Sequence, residues 1–124
     1  MKYLSAADVV AIHEDVIEPH ELQGMASNKS IDAILARIDN RLVYGMIDDV
    51  YTLAACYACY IAVGHAFNDA NKRTAFAAMD ICLAVNGVEL EYDTQEVGDT
   101  IIKAAQSIVD EIELAEWLRG RPSS

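Results

Sequence analysis

His65, Asp69, Lys72 and Arg73 fall within nine residues of one another, in the run Gly64-His65-Ala66-Phe67-Asn68-Asp69-Ala70-Asn71-Lys72-Arg73-Thr74. An imidazole can take up and release a proton near neutrality, as a general base must. A lone carboxylate such as Asp69 is an oxygen ligand of the kind Mg2+ accepts when it bridges phosphates. Lys72 and Arg73 are the only Lys or Arg between Arg41 and Lys103, in a chain with 9 Lys+Arg against 20 Asp+Glu and a net charge of -11. The run is a polar loop emptying into a helix, where unpaired N–H groups and a partial positive charge make an anion site. Two cations in a first turn oppose the helix dipole, so helix stability does not account for them and a bound phosphate does. Base, metal carboxylate and phosphate cations together describe phosphoryl or nucleotidyl transfer. The plainer alternative is a polar surface loop with His65 as a cap.

Such a loop needs rigid elements on both sides. Ser5 and Asp8 form an S-x-x-D start, with Val9, Ile12, Val16 and Ile17 at helical spacing, which predicts a first helix over about residues 6–17, ended by Pro19. Glu21–Ser30, with Gly24, Ser27 and Asn28, reads as a loop before a second helix through Ile31, Ile34, Leu35 and Ile38. After Gly45, Asp48 and Asp49 suit the first turn of a third helix running toward Gly64. A fourth carries Arg73, Phe76, Ala77, Asp80, Ile81 and Ala84 and closes at Asn86-Gly87. Val88–Tyr92 alternates apolar and acidic residues over a stretch too short to decide between an extended strand and a hairpin arm. Thr94 is read as the cap of a helix through Val97, Ile101 and Ala105, a last helix carries Ile112, Leu114, Ala115, Trp117 and Leu118, and Arg119–Ser124 reads as a frayed tail. The expected fold is all-α, a bundle of about six helices with at most one short strand or hairpin, and one domain over 1–124.

His65-Ala66-Phe67-Asn68-Asp69-Ala70-Asn71-Lys72-Arg73 resembles the active-site motif of the Fic/Doc superfamily in its Doc variant, H-x-F-x-D-A-N-K-R. The similarity extends from Leu4 and His13 through the Gly24-Met25 loop to Asn86-Gly87-Val88; beyond about Tyr92 it is one of length and apolar pattern. It implies a Fic/Doc-type helical bundle with His65 as the base, Phe67 as a buried anchor for the loop, and Asp69 holding Mg2+. Asn68, Asn71, Lys72 and Arg73 would bind the phosphates of ATP. AMP-transferring relatives usually read H-x-F-x-[DE]-G-N-G-R-x-x-R, with glycine where this chain has Lys72 and arginine where it has Phe76. In Doc proteins the altered loop goes with a reversed nucleotide, so the resemblance implies protein phosphorylation by a toxin of a toxin–antitoxin pair. It names elongation factor Tu as the target and a Phd-like antitoxin as the partner. The self-inhibitory [ST]-x-x-x-E-[GN] motif of many Fic proteins is absent, so inhibition would come from another chain. The rival readings are an AMP transferase and a catalytically silent antitoxin-binding module.

The acidic balance argues against nucleic acid or an anionic membrane as the main partner. The N-terminus lacks an apolar signal core and Leu53–Val63 is too short to span a bilayer, so the cytoplasm is the expected location. Cys56, Cys59 and Cys82 read as free thiols, with the C-x-x-C pair as small apolar residues on a helix face. His13 reads as a satisfied helix histidine, His20 as exposed, and Tyr51, Tyr57 and Tyr60 as core edge. Asp110, Glu111, Glu113 and Glu116 read as a solvated face. Arg37, Asp39 and Arg41 read as weak ion pairs, with the two arginines as possible borders of a nucleotide cleft.

Overall fold

The computed structural model describes residues 1–27 and 29–123. Its six helices are α1 (Ala6–Val16), α2 (Ile31–Val43), α3 (Val50–Gly64), α4 (Asn71–Val85), α5 (Thr94–Ala105) and α6 (Glu111–Arg119). The fold is all-α, as composition and periodicity predict. The Ser5/Asp8 capping box starts α1, with Asp8 N donating to Ser5 Oγ at 3.1 Å and Ser5 N donating to Asp8 Oδ2 at 2.8 Å. Ser30 caps α2, Asp49 caps α3 and Asp110 caps α6. The cap of α5 is Asp93 rather than Thr94, because its carboxylate reaches the N–H groups of Gln95 and Glu96.

α3 is the axis of the bundle. Every residue from Leu53 to Ala62 is buried, and α3 packs most extensively on α4, then on α6 and α5, while α1 covers the other side of α4. Four alanines, Ala54, Ala55, Ala58 and Ala62, let neighbouring helices approach closely. At the C-terminal end of α3 the approach is closer still: a Cβ on Gly64 would collide with the Ile34 side chain of α2. Tyr57 is buried and its hydroxyl both donates to Leu4 O and accepts from Leu4 N, tying the N-terminal segment to the core.

Val88–Tyr92 forms no named strand; Leu90 makes one isolated antiparallel bridge with Ser123, and Glu91 N donates to Pro122 O at 2.8 Å. The residues expected to fray are therefore pinned. Arg119 grips Asp49 and Thr52 at the start of α3, and Arg121 pairs with Glu96 beside Trp117. Ser124, and Asn28 of the predicted 21–30 loop, lie outside the described residues. The solvated-face reading of the last helix holds for Glu116 but fails for Glu111, whose carboxylate is largely covered and pairs with Arg41 at 2.7 Å. Arg37 and Arg41 stack over the Tyr60 ring.

All three cysteines are free and buried. Burial pushes the thiols up, Cys56 to about 11 and Cys59 and Cys82 to about 12, which suppresses the reactive thiolate. The native protein at pH 8 is expected to show no fast thiol labelling by an aromatic disulfide reagent, and three equivalents after unfolding in denaturant. Rapid labelling of the native chain would contradict this packing.

Candidate active site

α3 and α4 are joined by the six residues 65–70, and this short loop holds His65, Phe67, Asn68 and Asp69. His65 ends α3 in the left-handed region at φ 47°, and Ala70 precedes α4 in the same region at φ 64°. Two non-glycine residues with positive φ, each disfavoured by about 1–2 kcal/mol, bracket the turn. The surrounding contacts must hold them there.

Three sets of contacts do so. Phe67 is buried, and its ring stacks on His13 of α1 with centroids 3.8 Å apart and planes 5° from parallel. His13 Nε2 lies 2.9 Å from Asp69 O. A carbonyl only accepts, so Nε2 carries the proton and donates. Asn71 clamps Phe67 from the other side: Phe67 N donates to Asn71 Oδ1 at 3.1 Å, and Asn71 Nδ2 donates to Phe67 O at 2.9 Å. The third contact is the 23–26 segment, which lies antiparallel to the loop. Asn68 N donates to Gly24 O, Ala26 N donates to Ala66 O, and Asn68 Nδ2 donates to Gln23 O. Met25 and Phe67 face each other across this bridge.

What remains open is the start of α4. The other five helices each have a side-chain cap, whereas α4 has none. Its first turn borders a cavity of about 250 Å³ lined by His65 and by residues 68–73. His65 and Lys72 are exposed there, and Lys72 forms no ion pair among the described residues. Asp69 Oδ1 accepts the Ala70 N–H at 2.9 Å. Arg73 is the exception to the expected pattern of free cations. Its guanidinium pairs with Glu21 and donates to Val16 O at 2.8 Å, tying α4 to the end of α1. Arg73 also lines the cavity.

All seven predicted site residues thus lie in or directly under one pocket. Phe67 is buried, and Asn71 uses both ends of its amide on the loop backbone. Arg37 and Arg41 do not line this cavity; they belong to the α2–α3–α6 contact around Tyr60. His13 is the residue the sequence reading undervalued. It is a positioning residue for the loop, 56 positions away in sequence.

A family model described as Fic/DOC family matches residues 3–83. The chain belongs to the Fic/Doc family. It is 34% identical over 120 residues to "Protein kinase doc" of Escherichia phage P1, a similarity that covers 96% of this chain and 94% of the relative. The residues matched by the family model include the loop just described, and the similarity to this relative takes in α5 and α6 as well.

Glu21 supports this Fic/Doc loop through an acid-sensitive contact. The Glu18 backbone N–H and then the Arg73 guanidinium hold its carboxyl below the ordinary value of 4.5. A depressed carboxyl contributes stability that is present above its unfolded value and lost as pH falls through the folded one. Below pH 4.5 the Arg73 tether should therefore loosen, and Glu21→Gln should lack that part of the acid dependence. Melting temperatures of both proteins between pH 3 and pH 7 check this; parallel curves would contradict it.

Proposed function

We propose that this protein is the toxin of a toxin–antitoxin pair, acting in the cytoplasm as an ATP- and Mg2+-dependent protein kinase. It transfers the γ-phosphoryl group of ATP to a Ser or Thr hydroxyl of a translation factor, with elongation factor Tu the first acceptor to try. A Phd-like antitoxin would supply the inhibition. The whole chain, 1–124, acts as one Fic/Doc domain, since α6 packs on α3 and its Arg119 holds the α3 cap.

The observation that carries this reading is the uncapped N-terminus of α4, opening on the same cavity as His65, Asp69 and Lys72. Backbone N–H groups of residues 71–73 and the Lys72 ammonium would hold phosphate oxygens in place of a cap. Asn68 lines the same wall, and Asn71 fixes the loop that presents those donors. Arg73 contributes its N–H and keeps α4 against α1.

His65, outside the buried set at the lip, accepts the proton of the acceptor hydroxyl as its oxygen attacks the γ-phosphorus. The bond from that phosphorus to the β,γ-bridging oxygen breaks, ADP leaves with the electron pair, and the imidazolium returns its proton to solvent. Positioning and charge stabilisation supply most of the acceleration in such a transfer.

Asp69 fits Mg2+ in one specific sense. Mg2+ usually keeps several waters and takes one or two carboxylates together with substrate phosphates. A single carboxylate beside a phosphate cradle suits that, and no group of three His, Cys, Asp or Glu among the described residues suits a cage made of protein alone. When bound, the ion would neutralise phosphate charge.

Lys72 and Phe76 favour this reaction over AMP transfer, because relatives that move AMP carry glycine and arginine at those positions. The experiment compares ATP labelled at the γ position with ATP labelled at the α position, each with Mg2+ and a bacterial extract containing elongation factor Tu. Label on a protein from γ and none from α is expected. Label from α would mean AMP transfer, and no label from either would leave only a binding role.

A further inference from the structure

Of the two cations at the start of α4, Lys72 forms no ion pair among the described residues, whereas the Arg73 guanidinium already holds an anion, the carboxylate of Glu21. Yet Arg73 lines the motif cavity together with His65 and Lys72. We propose that Glu21 is a latch on this cavity: its carboxylate occupies the Arg73 guanidinium in the resting protein, and a polyphosphate bound at the start of α4 takes the guanidinium over. The inference rests on the phosphate site proposed above and adds to it a restraint supplied by the chain itself.

Three observations carry it. The first is the likeness of the two anions. A guanidinium presents its N–H groups as a fork that fits carboxylate and phosphate oxygens alike, so the two compete for one side chain. A polyphosphate brings more than one negative charge and meets Lys72 and the positive end of α4 at the same time. The exchange runs toward phosphate when ligand is present and back to Glu21 when it is not.

The second is that the pair can open without orphaning either partner. The Arg73 side chain is 46% exposed and uses only two of its N–H donors, one on Glu21 and one on Val16 O at 2.8 Å. Glu21 has a further partner that does not involve Arg73, since its Oε1 accepts the Glu18 N–H at 2.9 Å. α1 packs along α4 and His13 stacks on Phe67, so the two helices stay together when the guanidinium changes partner.

The third is the position of Glu21. It stands just before the segment that clasps the motif loop, where Gln23 O accepts the Asn68 Nδ2 and Gly24 O accepts the Asn68 N–H. That clasp fixes the carboxylate beside the cavity. The Glu18 N–H and then Arg73 lower the Glu21 carboxyl, and the Asp69 carboxylate is near enough to push it the other way. A second carboxylate so close to Asp69 opposes an incoming anion by simple Coulomb repulsion, which makes Glu21 a restraint on the site rather than a support.

Glu21→Gln tests the latch, because the amide keeps an acceptor for the Glu18 N–H and loses the charge that holds Arg73. Calorimetric titration of the full chain with inorganic tripolyphosphate and Mg2+ is expected to show binding about twofold to fivefold tighter in Glu21→Gln than in the parent, the scale on which a partly exposed ion pair competes. Glu21→Asp, which keeps the charge and draws it back by one methylene, should fall between them. Loss of a nearby negative charge would by itself tighten binding, so a second readout follows Arg73. In nitrogen-15 NMR spectra its Nε–H signal, assigned by its absence in Arg73→Lys, should differ between parent and Glu21→Gln without ligand. The two signals should converge on one position when both proteins are saturated with tripolyphosphate. A parent signal that the ligand leaves in place would overturn the inference and make the pair a permanent tether. Equal or weaker binding by Glu21→Gln would overturn it as well, with Glu21 then a support for the site. In both of those results the phosphate site stands. Binding of tripolyphosphate by neither protein would remove the phosphate site and the latch with it.

Discussion

His65→Asn is expected to reduce phosphoryl transfer by about 10²–10⁴-fold, the usual contribution of a positioned general base, while the fold stays intact. The side chain is exposed and makes no hydrogen bond among the described residues, so no packing is lost. The choice of Asn matters because the backbone at residue 65 sits at φ 47°. Asn, like His, enters that region more readily than most residues, whereas Ala has no polar side chain to offset its cost of about 1–2 kcal/mol. A labelled-ATP assay with thermal melting separates the two effects. Loss of transfer at a melting temperature within a few degrees of the parent is expected, together with loss of growth inhibition on expression. Transfer within tenfold of the parent would remove His65 from the reaction.

Phe67→Ala should do the opposite first. The ring is 3% exposed, stacked on His13, and seated where the 23–26 segment crosses the motif loop. Truncating a buried Phe costs about 3–5 kcal/mol through lost transfer energy and the cavity left behind. Denaturant unfolding should register that loss directly. The His13 imidazole then loses its stacking partner, and with it the support for its bond to the Asp69 carbonyl. His13→Ala and Phe67→Ala should accordingly be less damaging together than the sum of their separate effects. Additive effects, or a Phe67→Ala protein as stable as the parent, would mean that this stack does not hold the loop.

The sequence made the helices legible because most announce themselves locally. Ser5 and Asp8 cap α1 three residues apart, Gly64 ends α3 where α2 comes close, and the Ile31, Ile34, Leu35, Ile38 stripe is the buried face of α2. The motif run was legible for the same reason, since all its members belong to one loop and one first turn. What could not be read are contacts made across the chain. Val9, Ile12 and Val16 mark one side of α1, but nothing near His13 says that its nitrogen meets a carbonyl at residue 69. Arg73 looks like a free cation until the fold brings Glu21 to it, 52 positions away. Arg119 looks like the start of a loose tail until α6 lies against α3 and Asp49 comes within 2.8 Å. Glu111 belongs to an acidic run by sequence and to Arg41 by structure. In each case the residue type was visible and its partner was not, because local periodicity carries no information about helix-to-helix register.

A crystal structure of the full chain with Mg2+ and a non-hydrolysable ATP analogue decides whether the uncapped start of α4 is a cradle for the transferred phosphate. The terminal phosphate should lie within hydrogen-bonding distance of the N–H groups of residues 71–73, with Mg2+ between Asp69 and phosphate oxygens and the His65 ring facing the γ-phosphorus. An α-phosphate in that position, or a nucleotide bound elsewhere with the α4 N-terminus bare, would exclude this role for α4.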